Sequence, residues 1–371
     1  MKLVSVVVLA VAWACSRNGP AESAPAAVAA PPPGAAAAPA SPAVAAAPQA
    51  RVFARSVKAM GTEATFTAWI DDKEHAERGF DEAYQELQRL EVLMTDWERP
   101  GQPPSDVVRI NKAAGKSAVK VSNDTLAVID VSLDMSRRSE GAFDITYAAM
   151  RGLWKFDEDL ERKIPPDAEI ARRRKLIDYR DVIVNRAAGT VKLRRAGMKL
   201  GLGGIAKGYA VDRCATVMRH NGLSDFMIQA GGDLFVSGQK GAANWMVGVR
   251  DPRGSATSII AKMPIKDSAF STAGDYERSF ILDGKRYHHI IDPKTGYPAT
   301  ASRGVTILAP SAFVADALDD AVFILGPEKG LALVATFPDC AALIVDAANK
   351  VWMSKSLEGK LQRTGAPTDG I

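Results

Sequence analysis

Gly201-Leu202-Gly203-Gly204-Ile205-Ala206-Lys207-Gly208 leads into Tyr209-Ala210-Val211-Asp212-Arg213-Cys214-Ala215-Thr216-Val217-Met218-Arg219-His220-Asn221-Gly222, and then, after Leu223 and Ser224, into Asp225-Phe226-Met227-Ile228-Gln229-Ala230-Gly231-Gly232-Asp233. A glycine-rich turn opens a helix, and the helix stops at Asn221-Gly222, where glycine suits the left-handed closing residue. A strand follows over 225–229 and ends in a second glycine turn. The first turn is a candidate ligand site. Glycines let backbone approach a ligand closely, amides at a helix start favour a phosphate, and Lys207 stands ready to neutralise one. It is not a P-loop, because the Gly-Lys-Ser/Thr ending is absent, and it is not a dinucleotide fingerprint at a βαβ start. Taken alone, it reads equally well as a tight structural turn with Lys207 on the surface.

Strand-like and helix-like stretches alternate outward from this segment. Residues 57–70, rich in Thr, Phe, Trp and Val, predict a strand. Ala76, Phe80, Ala83, Leu87, Leu90 and Met94 recur at helical spacing, and residues 122–138 repeat the signature with Leu126, Ile129 and Leu133 behind a Ser/Asn cap. Residues 182–193, broken at Ala188-Gly189, predict a hairpin. Further strands are expected at 245–250, 280–282 and 287–291, with Asp283-Gly284 as a hairpin turn. A strand at 305–308 precedes a helix over 313–325 that Pro310-Ser311 caps. No internal repeat interrupts the pattern. The expectation is α+β: a single globular domain of mixed sheets and helices over residues 51–365.

Residues 1–50 differ in kind. Their only charges are Lys2, Arg17 and Glu22. The apolar run 3–14 is too short to span a bilayer as a mature helix but fits a signal peptide. Ala12 and Ala14 precede Cys15 as at a bacterial lipoprotein cleavage site, so residues 1–15 are expected to be a signal peptide that delivers a lipidated Cys15. Plain cleavage after Ala14 is the rival. Residues 16–50, almost wholly Ala and Pro, predict an extended tether. Together they imply a periplasmic protein held on the inner or outer membrane by a lipid anchor. The net charge of +4 is mild and no stretch interleaves Lys and Arg with aromatics, so nucleic acid is not an expected partner. Arg172-Arg173-Arg174-Lys175 reads as a solvated helix face. Cys214 and Cys340 sit in apolar contexts and are expected as buried thiols.

Several stretches could carry chemistry. Asp316 and Asp320, four apart on a helix, share one face suited to a hard cation such as Mg2+. The bland alternative is an exposed acidic patch, but the Ala, Val, Phe and Leu around them predict a mostly buried helix, where acids need a partner. His288-His289-Ile290-Ile291-Asp292-Pro293-Lys294-Thr295-Gly296 holds two of the chain's four histidines. Its His-x-x-Asp pattern beside turn residues suits acid–base or positioning work. Residues 271–278, with Asp275, and residues 141–146 are each either a ligand loop or a capped turn. There is no Ser/His/Asp spacing, nucleophile elbow, His-Glu-x-x-His or Cys-x-x-Cys, which argues against hydrolase and zinc readings.

The order of the motifs is more specific than any one of them. Met60-Gly61-Thr62, Gly141-Ala142-Phe143-Asp144-Ile145-Thr146, Leu202-Gly203-Gly204-Ile205-Ala206-Lys207-Gly208-Tyr209-Ala210, Ala230-Gly231-Gly232-Asp233, Val247-Gly248-Val249-Arg250-Asp251-Pro252, Ser271-Thr272-Ala273-Gly274-Asp275-Tyr276-Glu277-Arg278, the 288–296 stretch and Ala315-Asp316-Ala317-Leu318 resemble, in sequence, the ApbE family of FAD:protein FMN transferases. The resemblance covers about residues 55–355. It implies an active site in a cleft between two lobes, Mg2+ as cofactor and FAD as substrate. It further implies attack on the FMN phosphorus by a Ser or Thr hydroxyl of an acceptor protein, such as a flavinylated subunit of a membrane redox complex, with AMP leaving. Carried over position by position, Met60, Ala142, Phe143, Asp144, Lys207, Asp275, His289 and Ile290 bind the flavin nucleotide. His289, Asp292 and Lys207 are the catalytic set, with His289 assisting removal of the acceptor's proton. Asp316, Asp320 and the carbonyl of Gly204 hold the metal. Two positions depart from the family pattern: Gly201 stands where the family places Asp, and Asp320 where it places Thr. The alternatives are an FAD pyrophosphatase that yields free FMN and AMP, and a non-catalytic periplasmic FAD-binding lipoprotein, which Gly201 keeps open.

Overall fold

Strand order in the main sheet follows chain order, and this fixes where each motif lands. The computed structural model describes residues 49–156 and 162–371. The leader with Cys15 and all but the last two residues of the tether lie outside the described residues. The chain enters as a hairpin of β1 (Arg51–Ala59) and β2 (Thr62–Ile70). Three helices follow: α1 (Lys73–Met94), α2 (Asp106–Lys112) and, after the short β3 (Val119–Lys120), α3 (Asn123–Arg138). Beyond a 3-10 turn at Ile145–Met150 and α4 (Asp167–Arg174), β4 (Val182–Asn185) and β5 (Thr190–Leu193) form the expected hairpin.

Helix α5 (Ala206–His220) then runs into β6 (Phe226–Ala230) and β7 (Asp233–Ser237). Next come β8 (Trp245–Arg250), β9 (Ile259–Ile265), β10 (Ser268–Gly274) and the hairpin of β11 (Ser279–Leu282) with β12 (Lys285–His288). The remainder is β13 (Ser302–Ala309), α6 (Ala312–Leu325), α7 (Pro327–Val334), β14 (Ala341–Asp346), β15 (Val351–Met353) and β16 (Gln362–Arg363).

Eight strands pair in the order β1-β2-β6-β7-β10-β13-β14-β15, every neighbour antiparallel. Both faces are covered. Phe226, Ile228 and Ala230 of β6, Phe235 of β7, and Val305 and Ile307 of β13 pack with the helices on one face. The intervening Met227, Leu234, Val236 and Phe270 pack on the other against β8 and β9, which form a small sheet with β16. Side chains alternate across a strand, so Asp233, two residues from Phe235, and Ser271, between Ala269 and Ala273, face the helix side. The fold is α+β, as the sequence pattern predicts.

Two local findings differ from the sequence reading. Residues 57–70 are a hairpin rather than one strand, because Met60 (φ 50°) and Gly61 (φ 73°) both adopt left-handed backbone and make a two-residue turn. Residues 271–274 are neither ligand loop nor capped turn but part of β10, a central strand. Both described cysteines are free thiols, Cys214 buried and Cys340 half-buried.

Candidate active site

Helices α5 and α6 meet on the helix side of the sheet, in front of β7 and β10. A Cβ on Gly208 would lie 2.7 Å from Asp316 Cβ and collide with the carbonyl of Ala312, so only glycine permits this approach. The approach lets the amide of Gly208 donate to Asp316 Oδ2 at 2.8 Å. Four residues earlier, a Cβ on Gly204 would strike Asp320 Oδ2 and lie 3.6 Å from Phe143 Cε2. The backbone of the glycine-rich loop therefore stands directly against the Asp320 carboxylate. Gly204 thus meets Asp320, with Phe143 beside them, while Gly208 meets Asp316 one helical turn away.

Helix α6 starts where Asp212 of α5 accepts from Ser311 Oγ (2.6 Å) and from the amides of Ala312 and Phe313 (2.9 and 3.1 Å). This fixes the rotation that points Asp316, Asp319 and Asp320 at α5 and the sheet.

Asp233, quoted in a motif but given no role from sequence, and Asp319, the neighbour of Asp320, complete the cluster. Asp233 opens β7 opposite Ser271 of β10. Lys207 Nζ lies 2.7 Å from Asp233 Oδ2 and 3.2 Å from Asp316 Oδ1. Ser271 Oγ lies 2.7 Å from Asp233 Oδ1 and 2.6 Å from Asp319 Oδ2. One hydroxyl proton serves only one of those carboxylates, so the other contact calls for a further proton or a cation. Asp233, Asp316 and Asp319 each offer a carboxylate oxygen within 4.8 Å of the others, and Asp319 Oδ1 is buried without a hydrogen-bond partner.

Charge in this cluster is unbalanced. Burial pushes Asp316 up to about 7 and Asp320 up to about 6, and Asp233 adds to both shifts against the opposing charge of Lys207. Burial, with the charges of Asp320 and Asp316, raises Asp319 well above the carboxylate range. Burial opposes the charge on Lys207, but Asp233 and Asp316 outweigh it and hold the ammonium well above its usual value. Four acids around one lysine, one oxygen orphaned and a loop backbone alongside, make an oxygen-rich donor set of the kind a hard divalent cation takes.

The two histidines divide their roles. His288 is buried; its Nε2 donates to the Ala299 carbonyl at 2.8 Å, its Nδ1 accepts from the Ile290 amide, and its ring meets Phe323 edge-on. It holds the turn. His289 is half-buried and its Nδ1 has no hydrogen-bond partner. Burial, with the charges of His288, Arg278 and Lys207, pushes His289 down to about 3, so the ring is neutral.

Other expected site residues are engaged in structure. Asp144 accepts from the amide (2.8 Å) and hydroxyl (2.6 Å) of Thr146 and from the Tyr179 amide at 2.9 Å, so its carboxylate shapes the Ala142-Phe143 loop. Asp292 Oδ1 accepts from the Lys294 amide and its carbonyl from the Gly296 amide, both at 2.8 Å, closing the turn after Ile290. Asp275 forms a two-pronged pair with Arg253 (2.6 and 2.7 Å), outside the aspartate cluster. Met60 lies on the β1–β2 turn, beside the Gly231-Gly232 turn that launches Asp233: the Gly231 amide donates to the Glu63 carbonyl at 3.0 Å.

Comparison with known proteins identifies the family. The pattern of the ApbE family matches residues 60–344. The FAD:protein FMN transferase of Treponema pallidum (strain Nichols) is 34% identical, over 76% of this chain and 81% of its own. One from Klebsiella pneumoniae (strain 342) is 31% identical, over 82% and 92%. Among solved structures, the ApbE protein of Thermotoga maritima superposes with a TM-score of 0.75 at 30% identity, covering 84% of this chain and 99% of its own. The flavin transferase ApbE from Vibrio cholerae gives a TM-score of 0.73 at 26% identity, covering 83% and 99%. With the match spanning the sheet, the glycine-rich loop and the aspartate cluster alike, the chain belongs to the ApbE family.

Proposed function

We propose that this protein transfers FMN from FAD to a Ser or Thr hydroxyl of an acceptor protein, releasing AMP, with Mg2+ held by Asp316, Asp320 and the carbonyl of Gly204. The observation that carries this reading is the buried trio Asp233, Asp316 and Asp319, with Lys207 as its paired cation, and the loop backbone at Gly204 directly against the adjoining Asp320. The names of the curated relatives support the reaction. When bound, the cation neutralises phosphate charge as the phosphorus is transferred.

The chain's own groups do the rest. The loop amides and Lys207 orient the phosphates, while Asp233 and Asp316 hold the Lys207 ammonium in place. Neutral His289 accepts the acceptor's hydroxyl proton on its imidazole ring, and negative charge bound nearby raises its proton affinity. The hydroxyl oxygen bonds to the FMN phosphorus, the pyrophosphate bond breaks, and AMP carries off the bonding pair. Asp292 and His288 keep the His289 turn in shape.

The protein works from a membrane surface in the periplasm, on a lipid at Cys15 and the 16–50 tether, on acceptors such as a subunit of a membrane redox complex. One incubation tests the chemistry: full-length protein, FAD, Mg2+ and an acceptor domain with an exposed Thr. Covalent flavin on the acceptor with AMP release is expected. AMP without labelled acceptor would instead make it an FAD pyrophosphatase, and bound FAD without turnover a binding protein. Cys15→Ser is expected to move the protein from the membrane fraction to the soluble one.

A further inference from the structure

Gly201 begins the loop that meets Asp320 at Gly204, and a carboxylate from a distant part of the chain lies beside it. A Cβ on Gly201 would sit 3.0 Å from Ala148 Cβ, 3.1 Å from Asp96 Oδ2 and 3.7 Å from Arg151 Nη2. The backbone of Gly201 is not in the left-handed region, so conformation does not demand glycine here; Ala148 and the Asp96 carboxylate crowd the space a Cβ would need. Asp96 lies just past the end of α1, its side chain only 10% exposed, and its Oδ1 pairs with Arg151 Nη1. Its Oδ2 is buried and has no hydrogen-bond partner. Arg151 is held from the other side by Trp97, whose ring lies 4.6 Å from the guanidinium and is 64% exposed. Farther along the loop, Tyr147 OH lies 3.3 Å from where a Cβ on Gly203 would be. The loop is therefore lined, from Gly201 to Gly204, by Asp96 with Arg151, then Tyr147, then Asp320.

We propose that Asp96 supplies, from the end of α1, the carboxylate that the glycine-rich loop lacks at position 201, and that its free Oδ2 accepts a hydrogen bond from an N–H or O–H group of the flavin nucleotide. This rests on FAD being the substrate. A buried carboxylate oxygen without a donor is costly, and burial does raise the Asp96 carboxyl, against the pull of Arg151. Phosphates cannot satisfy it, being anionic and without protons to donate at neutral pH. The donors of FAD are its amino and imide N–H groups and its sugar and ribityl hydroxyls, so Asp96 reads a neutral part of the substrate. The phosphates are left to the loop amides and Lys207. A side chain at 201 crowds the Asp96 carboxylate, which couples the two positions.

The test compares FAD dissociation constants, read by flavin fluorescence, and melting temperatures for the full-length protein and its variants. Asp96→Asn and Asp96→Ala are expected to weaken FAD binding by about tenfold to a hundredfold. Gly201→Asp alone also weakens it, through crowding and like charge. The double variant Asp96→Ala/Gly201→Asp is expected to recover to within about threefold of the parent, since one carboxylate again occupies the site. FAD binding unchanged in folded Asp96→Asn, whose shape is conserved, would overturn the proposal. So would a double variant no better than Asp96→Ala. Parent protein that binds FAD but transfers no FMN would overturn the transfer reaction while the variant series upholds Asp96; parent protein that binds no FAD would overturn both.

Discussion

His289 and His288 are neighbours in sequence with opposite fates. Both nitrogens of His288 are spent on backbone, whereas His289 keeps Nδ1 open and is pushed down to about 3, chiefly by burial. An unfolded histidine titrates near 6.5. Between that pH and about 3 the unfolded chain binds a proton at 289 that the folded chain refuses, so this residue's contribution to stability is full above pH 6.5 and is lost as pH falls. His289→Gln is expected to flatten the acid limb of a stability–pH curve relative to the parent, in paired urea titrations from pH 7 to 4, while FMN transfer drops on the order of a hundredfold or more. An unchanged acid limb would show that His289 is protonated in the folded state. Asp316→Ala removes both a donor atom and the partner of the Gly208 amide. FMN transfer is expected to fall on the order of a hundredfold and to lose its response to Mg2+ titration; unchanged activity would remove Asp316 from the metal site.

At the scale of elements, the seam between α5 and α6 carries the site, and Gly208 is its tightest point. Gly208→Ala is expected to destabilise the fold by about 1–3 kcal/mol through overpacking, read as a shifted urea midpoint, and to weaken Mg2+ binding because Asp316 moves with α6. Gly61→Ala, at φ 73° with nothing in the way of a Cβ, is expected to cost about 1 kcal/mol from backbone strain alone. Helices were legible in the sequence because their signals are local. The 3.6 period, the Ser122 and Ser311 caps and the Asn221-Gly222 stop all mark the ends of observed helices. Strand β10 was not legible, since Ser271-Thr272-Ala273-Gly274 has neither alternation nor bulk; it is a strand because β7 and β13 pair with it. The Met60-Gly61 turn was missed for the converse reason, an apolar residue in a left-handed position that normally favours Asn or Asp.

For the whole molecule, the sheet buried on both faces explains which parts of the site could be read ahead. Residues grouped by one helix, Asp316 with Asp320, follow from spacing. Asp319, three residues after Asp316, shares that helix, whereas Asp233 joins them only because a β-turn and a neighbouring strand meet the helix, a relation no local pattern encodes. Asp96 is the extreme case, separated from Gly201 by the whole helical segment and the β4–β5 hairpin. The faces of the sheet also predict mutational cost. Phe235, buried on the helix side of β7 two residues after Asp233, is expected on truncation to Ala to cost about 3–5 kcal/mol, whereas Ile281, 43% exposed on β11, is expected to cost under about 1 kcal/mol; equilibrium unfolding in urea distinguishes them.

The strand order β1-β2-β6-β7-β10-β13-β14-β15 never steps backward along the chain. Each new strand docks on the outer edge left by its predecessor, and none has to be threaded between two that have already paired. A polypeptide delivered from its N-terminus, whether by a ribosome or through a narrow pore, can therefore lay down this sheet in the order of arrival, like a wall built from one end. The aspartate cluster closes only when α6 arrives, after β13, so chemical competence comes near the end of that sequence while most of the scaffold is already in place.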